Sequence, residues 1–259
     1  DRLITIPEIH YQHEDSVLKI KGQYFLSDQM DFSLKGDFNA SLLTFFKTLV
    51  TNASGVISTN LKVQGSTKNP QIHGAIQLQK GSFDFRGLAK GFEDVDGRLI
   101  LSGNRLKFDE LKGYWKDGSF KINGDVYLKD FSPKRYDLSL VARNLTFVIP
   151  KNIRLNFDGE GTLKGTTPSP LFEGKLDVIE GRYFRKFKLS ELVFKPIEHE
   201  KDEKKPFWEA ISKYRWNIKL KNSGDFRVKN NIANIIFQSD LLLKGTVGRP
   251  HIEGIITTH

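Results

Sequence analysis

The fold is decided by a pattern that is clearest in Leu163–Tyr183, with the sequence LKGTTPSPLFEGKLDVIEGRY. A glycine ends one segment, a four-residue turn and a proline follow, and a second glycine leads into a segment in which apolar and polar residues alternate. This frame fills Gly165–Gly174 and recurs as GSTKNPQIHG at Gly65–Gly74 and as GTVGRPHIEG at Gly245–Gly254. Three copies with the same internal spacing indicate a structural repeat.

Each fixed position of the repeat has a physical role. The first glycine ends a strand where the turn needs a positive φ angle, which residues with a Cβ rarely adopt. The proline lacks an amide donor and therefore suits the first position of the next strand. The second glycine allows neighbouring backbones to approach closely, or the sheet to bend. A broad sheet that bends repeatedly forms a curved gutter.

Apolar and polar residues alternate in most of the remaining chain, as in Tyr136–Leu140, Ile153–Phe157 and Trp216–Leu220. Such alternation places apolar side chains on one face of a strand and polar side chains on the other. Turn signals recur about every eight to twelve residues, as expected for strands joined by tight turns. The sequence therefore predicts an all-β protein, built on a long, curved, mainly antiparallel sheet.

We expect residues 1–259 to form one elongated segment of a longer protein, with repeat units near 61–85, 136–184 and 214–256. Two segments depart from the strand pattern. Residues 40–50 have apolar spacings of three and four, which predicts a short helix capped by Asn39 or Ser41. Residues 198–213 contain a charged run and then an apolar stretch, which predicts a polar, mobile insertion that ends in a helical turn.

Composition excludes several classes of protein. The chain has no cysteine, which excludes disulfide scaffolds, thiolate zinc sites and cysteine nucleophiles. Its apolar stretches are far shorter than the roughly 20 residues that a membrane-spanning helix needs. The net charge of +9 is spread along the whole length and by itself identifies no partner.

Catalytic and metal-binding signals are weak. His10 and His13, beside Glu8 and Glu14, form a poor candidate for a metal site. The sequence Asp-Val-Asp-Gly at 94–97 resembles a fragment of a calcium loop, but it lacks the downstream ligands and is better interpreted as a turn. No nucleophile elbow, phosphate-binding loop or dinucleotide fingerprint is found. We therefore predict a protein without catalytic activity, metal or cofactor.

The repeat unit also indicates a family. Leu163–Tyr183, together with the preceding Tyr136–Phe147, resembles the C-terminal region of the TamB family, which belongs to the AsmA-like group of bacterial envelope proteins. Gly97–Leu128 shows the same placement of glycines and apolar residues. The resemblance extends from about Ser54 to Ile256.

The resemblance implies a sheet folded along its length like a taco, with an apolar inner groove. It implies a periplasmic segment of a protein that is anchored in the inner membrane and carries phospholipids toward the outer membrane. The implied partners are phospholipid acyl chains and TamA, an outer-membrane barrel protein similar to BamA. The sequence reaches His259 without the final segment expected of that C-terminus, so contact with the barrel is assigned to the parent protein.

The groove would be lined by the apolar residues of the alternating strands. They are Leu99, Leu101, Leu106, Phe108, Phe120, Ile122, Leu138, Leu140, Leu145, Phe147, Leu155, Phe157, Leu163, Leu176, Val178, Trp216, Ile218, Leu220, Phe226, Val228, Ile235, Phe237, Leu241 and Leu243. Phosphate headgroups would stay in water at the rim, near lysines such as Lys164, Lys175, Lys219 and Lys244. No polar residue stands out as a clamp that would hold a lipid at one point.

Two alternatives belong to other classes. A structural scaffold, such as a surface β-repeat or an assembly module for barrel proteins, shows the same alternation but has a closed, packed core. A nucleic-acid-binding domain is suggested by the charge and the aromatic content. However, the aromatic residues share parity with aliphatic ones, as Trp216 does with Ile218 and Phe226 with Val228. Shared parity indicates burial of the rings and argues against base stacking, so we expect no nucleic-acid partner.

Overall fold

The computed structural model describes residues 3–13, 15–45, 50–86, 88, 91–129, 132–149, 153–183, 211–229 and 234–258. In these residues nearly every alternating segment forms a strand, and fourteen strands join in chain order into one sheet. The strands are β1 (Leu3–His13), β2 (Ser16–Phe25), β3 (Gln29–Asn39), β4 (Val50–Ser66), β5 (Asn69–Phe85), β6 (Phe92–Gly103), β7 (Arg105–Trp115), β8 (Gly118–Lys129), β9 (Ser132–Ile149), β10 (Ile153–Thr166), β11 (Leu171–Tyr183), β12 (Arg215–Lys229), β13 (Asn234–Thr246) and β14 (Arg249–Thr258). The predicted all-β, mainly antiparallel architecture is confirmed.

One pair of strands departs from the antiparallel pattern. β11 and β12 are parallel, with Leu171 opposite Arg215 and Gly181 opposite Phe226. A parallel pair requires the chain to cross from one end of the sheet to the other between the two strands. Alternation carries no information on strand direction, so the sequence did not predict this pair.

The three repeat copies form the hairpins β4–β5, β10–β11 and β13–β14, whose turns lie at the same end of the sheet, called here the lower end. The first glycines have φ angles of 100°, 109° and 91° at Gly65, Gly165 and Gly245. At the second glycines, an added Cβ would fall on a carbonyl oxygen of the neighbouring strand: that of Asn60 for Gly74, of Glu160 for Gly174 and of Asp240 for Gly254. Both predicted glycine roles are confirmed.

The register divides the sheet into two faces. Residues directly opposite each other share a face, so Ile76, Leu99 and Phe108 stand side by side on β5, β6 and β7. We call this side the apolar face. The other side, the polar face, carries ion pairs between neighbouring strands, such as Lys62 Nζ to Asp31 Oδ2 at 3.3 Å.

Four irregularities in the strands keep this division intact. Lys80, Asp94, Glu110 and Asn144 have positive φ angles between 47° and 58° and lie at shifts of the register. Each β-bulge adds one residue, so the apolar residues on its two sides are three apart instead of two. These flanking pairs are Leu78/Gly81, Phe92/Val95, Phe108/Leu111 and Ala142/Leu145. The apolar side chains therefore stay on one face across these four bulges.

A closed core lies on the apolar face at the upper end of β4–β8, opposite the repeat turns. Ala53, Ile57, Leu78 and Val95 are buried there, and a short 3₁₀ helix (Ala40–Phe45) covers them with the fully buried Ala40. Phe92 stands at the centre of the surrounding aromatic side chains. Its ring centroid is 5.7 Å from those of Phe85 and Trp115 and 5.2 Å from that of Phe120.

The helix predicted at residues 40–50 is correct for its first part and wrong for Val50, and residues 46–49 lie outside the described residues. The helical turn is a 3₁₀ helix, and the Asn39 side chain accepts a hydrogen bond from the Ser41 amide at 2.9 Å, as expected of a cap. Val50 instead opens β4 and pairs with Phe85, because the ladder satisfies its backbone groups. Of the predicted insertion at 198–213, residues 198–210 lie outside the described residues. The remaining three precede Tyr214, whose amide donates to the Ile211 carbonyl at 2.9 Å.

We expect the substitution Gly74→Ala to destabilise the sheet by about 2–4 kcal/mol, because the new Cβ meets the Asn60 carbonyl and the residue has a φ of 134°. The matched control is His73→Ala, at the exposed position just before Gly74 on the same strand. This substitution should change stability by less than about 0.5 kcal/mol. Urea denaturation followed by circular dichroism measures both. Equal midpoints for the two variants would contradict the close approach of β4 and β5.

Candidate functional site

The apolar face contains every residue that was predicted to line a groove. Leu163, for example, is opposite Leu138 on one side and Phe172 on the other, and Ile218 is opposite Leu243. Phe147 and Val228 are placed by backbone register alone. The structure thus brings the predicted residues together, and their role as the lining of a lipid groove stays a prediction.

Most of the apolar face is only half-buried. In the described part of the chain nine hydrophobic residues are buried. Three of the nine belong to the predicted lining: Leu101, Val178 and Ile218. Ile235 is 41% exposed, and the other predicted residues with described side chains are intermediate. Phe120 differs in packing against the closed upper core. Away from that core, the face offers apolar surface that other parts of the described structure do not fully cover.

The apolar face extends beyond the predicted residues on both sides. On β2, β3 and β4 it continues through pairs such as Ile20 with Leu34 and Leu34 with Leu61. At the last strand it includes Ile252 and Ile256, which are 61% and 57% exposed. Sequence analysis missed these residues, although the same alternation is visible in Met30–Phe38.

Asn222 is a polar residue within this face. Its amide nitrogen donates to the carbonyls of Gly224 and Phe237, each at 2.9 Å, and its Oδ1 accepts from the Ser239 amide and hydroxyl. These bonds hold β12 to β13 where the regular register between Lys221 and Phe226 is lost. Asn222 therefore has a structural role in an irregular stretch.

A tyrosine pair forms a second polar point on the apolar face. The hydroxyls of Tyr136 on β9 and Tyr214 just before β12 are 2.9 Å apart, so the pair bridges over β10 and β11. Burial, and then the hydrogen bond with Tyr214, raise the pKa of the Tyr136 hydroxyl above its ordinary value, so it stays protonated at neutral pH. The expectation that no polar residue stands out on this face is therefore incomplete. Sequence analysis missed the pair because Tyr214 belongs to no strand, so alternation could not place it.

The bulges are stabilised by side chains of the next strand. The Lys80 amide donates to Asp96 Oδ1 at 3.0 Å, the Glu110 amide to Asn123 Oδ1 at 3.0 Å and the Asn144 amide to Asp158 Oδ1 at 2.7 Å. A bulge leaves an amide without its partner in the ladder, and these acceptors replace that partner. The prediction of a turn at 94–97 is wrong, because these residues lie inside β6, where Asp94 forms a bulge and Asp96 caps another.

The prediction that four lysines lie at the rim of the groove is also wrong. Lys164, Lys175, Lys219 and Lys244 lie on the polar face, because each is one residue away from an apolar-face position. Lys164 lies 3.9 Å from the Asp137 carboxylate and Lys244 lies 3.0 Å from that of Glu253. These lysines point away from the apolar face and are not candidates for binding a headgroup beside it.

A cavity of about 830 Å³ lies at the lower end of the sheet. Its lining comes from the β4–β5 turn and the start of β5, the β6–β7 turn, the end of β8, the first residues of β9 and the last residue of β10. Separated stretches of the chain thus share one concave space, which sequence analysis did not find.

The described ranges contain neither a metal-binding cluster nor a helix able to span a membrane. No group of three or more histidine, aspartate or glutamate side chains there is arranged to hold a metal ion. His10 Nε2 lies 2.5 Å from Glu8 Oε1, which forms a local pair on β1. Within the same ranges no helix has the length and apolar character needed to cross a membrane.

The described residues form a fourteen-stranded sheet with one apolar and one polar face, which defines an elongated amphipathic β-protein. The model of the TamB C-terminal domain matches residues 109–259, more than half of the chain, and the chain belongs to the TamB family. This family consists of envelope proteins, and its domain is associated with the outer-membrane partner TamA in the translocation and assembly module. The resemblance identified from the repeat is confirmed. No solved structure matches the chain.

We expect Asp158→Ala to lower stability by about 1–2 kcal/mol, because the Asn144 amide loses its charged acceptor. Asp158→Asn keeps an oxygen at the same position and should cost less than half as much. Hydrogen exchange at the Asn144 amide, with urea denaturation, measures the effect. If the alanine and asparagine variants exchange at the same rate as the parent protein, the side chain does not cap this bulge.

Proposed function

We propose that this chain is a periplasmic segment that carries phospholipids toward the outer membrane by sheltering their acyl chains against its apolar face. The observation that carries the proposal is the continuity of that face. It crosses the fourteen described strands, and the four bulges at Lys80, Asp94, Glu110 and Asn144 preserve its phase. A continuous apolar path is what a lipid needs if it is to cross an aqueous compartment without leaving the protein.

The incomplete burial of the face supports the proposal. A closed scaffold would cover both Leu140 and Leu220, whereas each is only half-buried. Removing one methylene from water yields about 0.8 kcal/mol, so one long acyl chain gains on the order of 10 kcal/mol before ordering costs. Similar aliphatic and aromatic side chains along the sheet offer nearly equal binding at successive positions. A lipid is then able to slide without meeting one deep energy minimum.

The lower cavity and the bulges support a curved sheet. Strands β5 and β10 are separated by five steps, which correspond to about 24 Å on a flat sheet. Residues of both strands nevertheless line one cavity. Bulges bend a strand and increase its local twist, and three of the described ones are held in place by side-chain caps. We infer that the apolar face is the concave side of a gutter.

The polar face suits the outside of such a gutter. Arg105 and Asp125 form two parallel hydrogen bonds of 2.7 Å across β7 and β8. This contact holds the pKa of the Asp125 carboxyl below its usual range and keeps it charged at neutral pH. Water can solvate this face along its whole length. The proposed role is non-catalytic and requires no cofactor, and the proposed partners are phospholipids and, through the parent protein, a TamA-type barrel.

Photocrosslinking in cells tests the acyl-binding role. A photoreactive residue at Phe157, on the apolar face of β10, should give lipid adducts that mass spectrometry detects. The same probe at Glu160, exposed on the polar face of the same strand, should give none. Asn156 is a weaker control, because its side chain is hydrogen-bonded to Asn144 and Thr146. No adduct from either position in folded protein would favour the closed structural scaffold, the role that the packed upper core suggests.

We expect Phe157→Arg to reduce lipid adducts at a probe on Leu220 by about tenfold, because a guanidinium on the apolar face opposes an acyl chain in contact with it. Glu160→Arg is the matched control and should leave the yield unchanged. Circular dichroism establishes that both variants are folded. Equal adduct yields from the two folded variants would show that lipid does not pass over the apolar face of β10.

A further inference from the structure

We propose that the cavity at the lower end of the sheet binds a phosphate group. Four cationic residues contribute to its lining: Lys68 in the β4–β5 turn, Lys129 at the end of β8, and Lys134 and Arg135 near the start of β9. None of the described lining residues is acidic. Asp130, the residue after Lys129, lies outside the described residues.

This charge arrangement differs from that of the polar face. There, several basic side chains stand beside a carboxylate of a neighbouring strand, as Lys62 does beside Asp31 and Lys221 beside Asp240 at 3.1 Å. Around the cavity, cationic residues from separate parts of the chain line one space, and none of the described lining residues is acidic. Converging cations raise the local concentration of anions, and the effect is greatest in a concave site.

Backbone hydrogen bonds hold the walls of the cavity in place. The Leu128 amide donates to the Asn104 carbonyl at 2.7 Å, which joins the end of β8 to the β6–β7 turn. The Lys134 carbonyl accepts from the Thr167 amide at 2.9 Å, which joins β9 to the β10–β11 turn. The cations are therefore presented by a connected frame.

Arg135 is oriented by an aromatic ring. Its guanidinium carbon lies 3.9 Å from the ring centroid of Tyr127, the residue opposite it on β8. Both side chains belong to the polar face, because their neighbours Tyr136 and Val126 belong to the apolar face. A guanidinium stacked on a ring keeps its N–H groups in its own plane, where they are able to form paired hydrogen bonds with phosphate oxygens. Lysine ammonium groups supply mobile point charges around the same anion.

The lining is also partly apolar, which indicates the source of the phosphate. Ile72 lies on the apolar face opposite Val63, and Leu128 lines the same cavity. Arg135 belongs to the polar face and Ile72 to the apolar face, and both line the cavity at the lower end of the sheet. A ligand whose phosphate contacts Arg135 and whose acyl chain contacts Ile72 therefore extends around this end of the sheet. The assignment of the phosphate to a lipid headgroup rests on the proposed function, whereas the phosphate site itself does not.

Binding of short-chain ligands to the purified chain tests the proposal. The probes are dihexanoyl phosphatidylglycerol below its micelle concentration, dihexanoylglycerol, which lacks the phosphate, and inorganic phosphate. The test variant combines Lys68→Gln, Lys129→Gln and Lys134→Gln. The matched control combines Lys35→Gln, Lys175→Gln and Lys219→Gln, which remove the same charge from the polar face.

We expect the test variant to bind dihexanoyl phosphatidylglycerol at least tenfold more weakly than the parent chain, and the control to stay within twofold. Isothermal titration calorimetry measures both, and the difference should shrink as salt is added. Binding of dihexanoylglycerol should be the same in all three proteins. If inorganic phosphate binds with the same dependence on the three lysines, the site accepts a free phosphate group. If only the phospholipid binds with this dependence on the three lysines, the lipid headgroup is the ligand.

Equal binding by the test and control variants, or binding of dihexanoylglycerol as tight as that of the phospholipid, would overturn the phosphate site. The Phe157 crosslink separates this failure from failure of the proposed function. Lipid adducts at Phe157, without lysine-dependent binding, leave acyl transport intact and remove the phosphate site. Lysine-dependent binding without adducts at Phe157 supports the phosphate site and removes the proposed acyl transport.

Discussion

The phase of side-chain alternation across an unbroken ladder is the constraint on which this structure depends. A slip of one residue between two strands would exchange their apolar and polar faces. The fourteen strands avoid this, since Leu138, Leu163 and Phe172 stand in one row on β9, β10 and β11. The apolar path, the charged outer side and the basic cavity at the lower end all follow from this common phase.

The bulges show how the chain keeps this phase while its backbone departs from regular geometry. A non-glycine residue with positive φ is strained, and its amide leaves the ladder. At Lys80, Glu110 and Asn144 the neighbouring strand supplies a carboxylate or amide oxygen for that amide. The strain is thus offset by a hydrogen bond across the polar face, and the apolar face stays continuous.

Much of this could be predicted from the sequence, because glycine placement and alternation are local signals. The repeat predicted three hairpins and both glycine roles, and alternation placed residues such as Phe157 and Leu243 on a common face. Features that depend on distant segments were not predictable in this way. The parallel pairing of β11 with β12, the bridge between Tyr136 and Tyr214 and the shared cavity join stretches that no local pattern connects. Val50 lies in β4 and not in the predicted helix, because it has a ladder partner in Phe85.

The agreement between strand order and chain order has a consequence for how the protein is made. Each described strand pairs with the strands described before and after it, so the ladder contacts of most of these strands are close in sequence. Local contacts close with little loss of chain entropy and form quickly. A chain that emerges from its N-terminus is able to add one strand at a time to the open edge of the growing sheet. The addition of β12 is the exception. Because β12 is parallel to β11, it pairs only after the segment that connects the two strands has been synthesised.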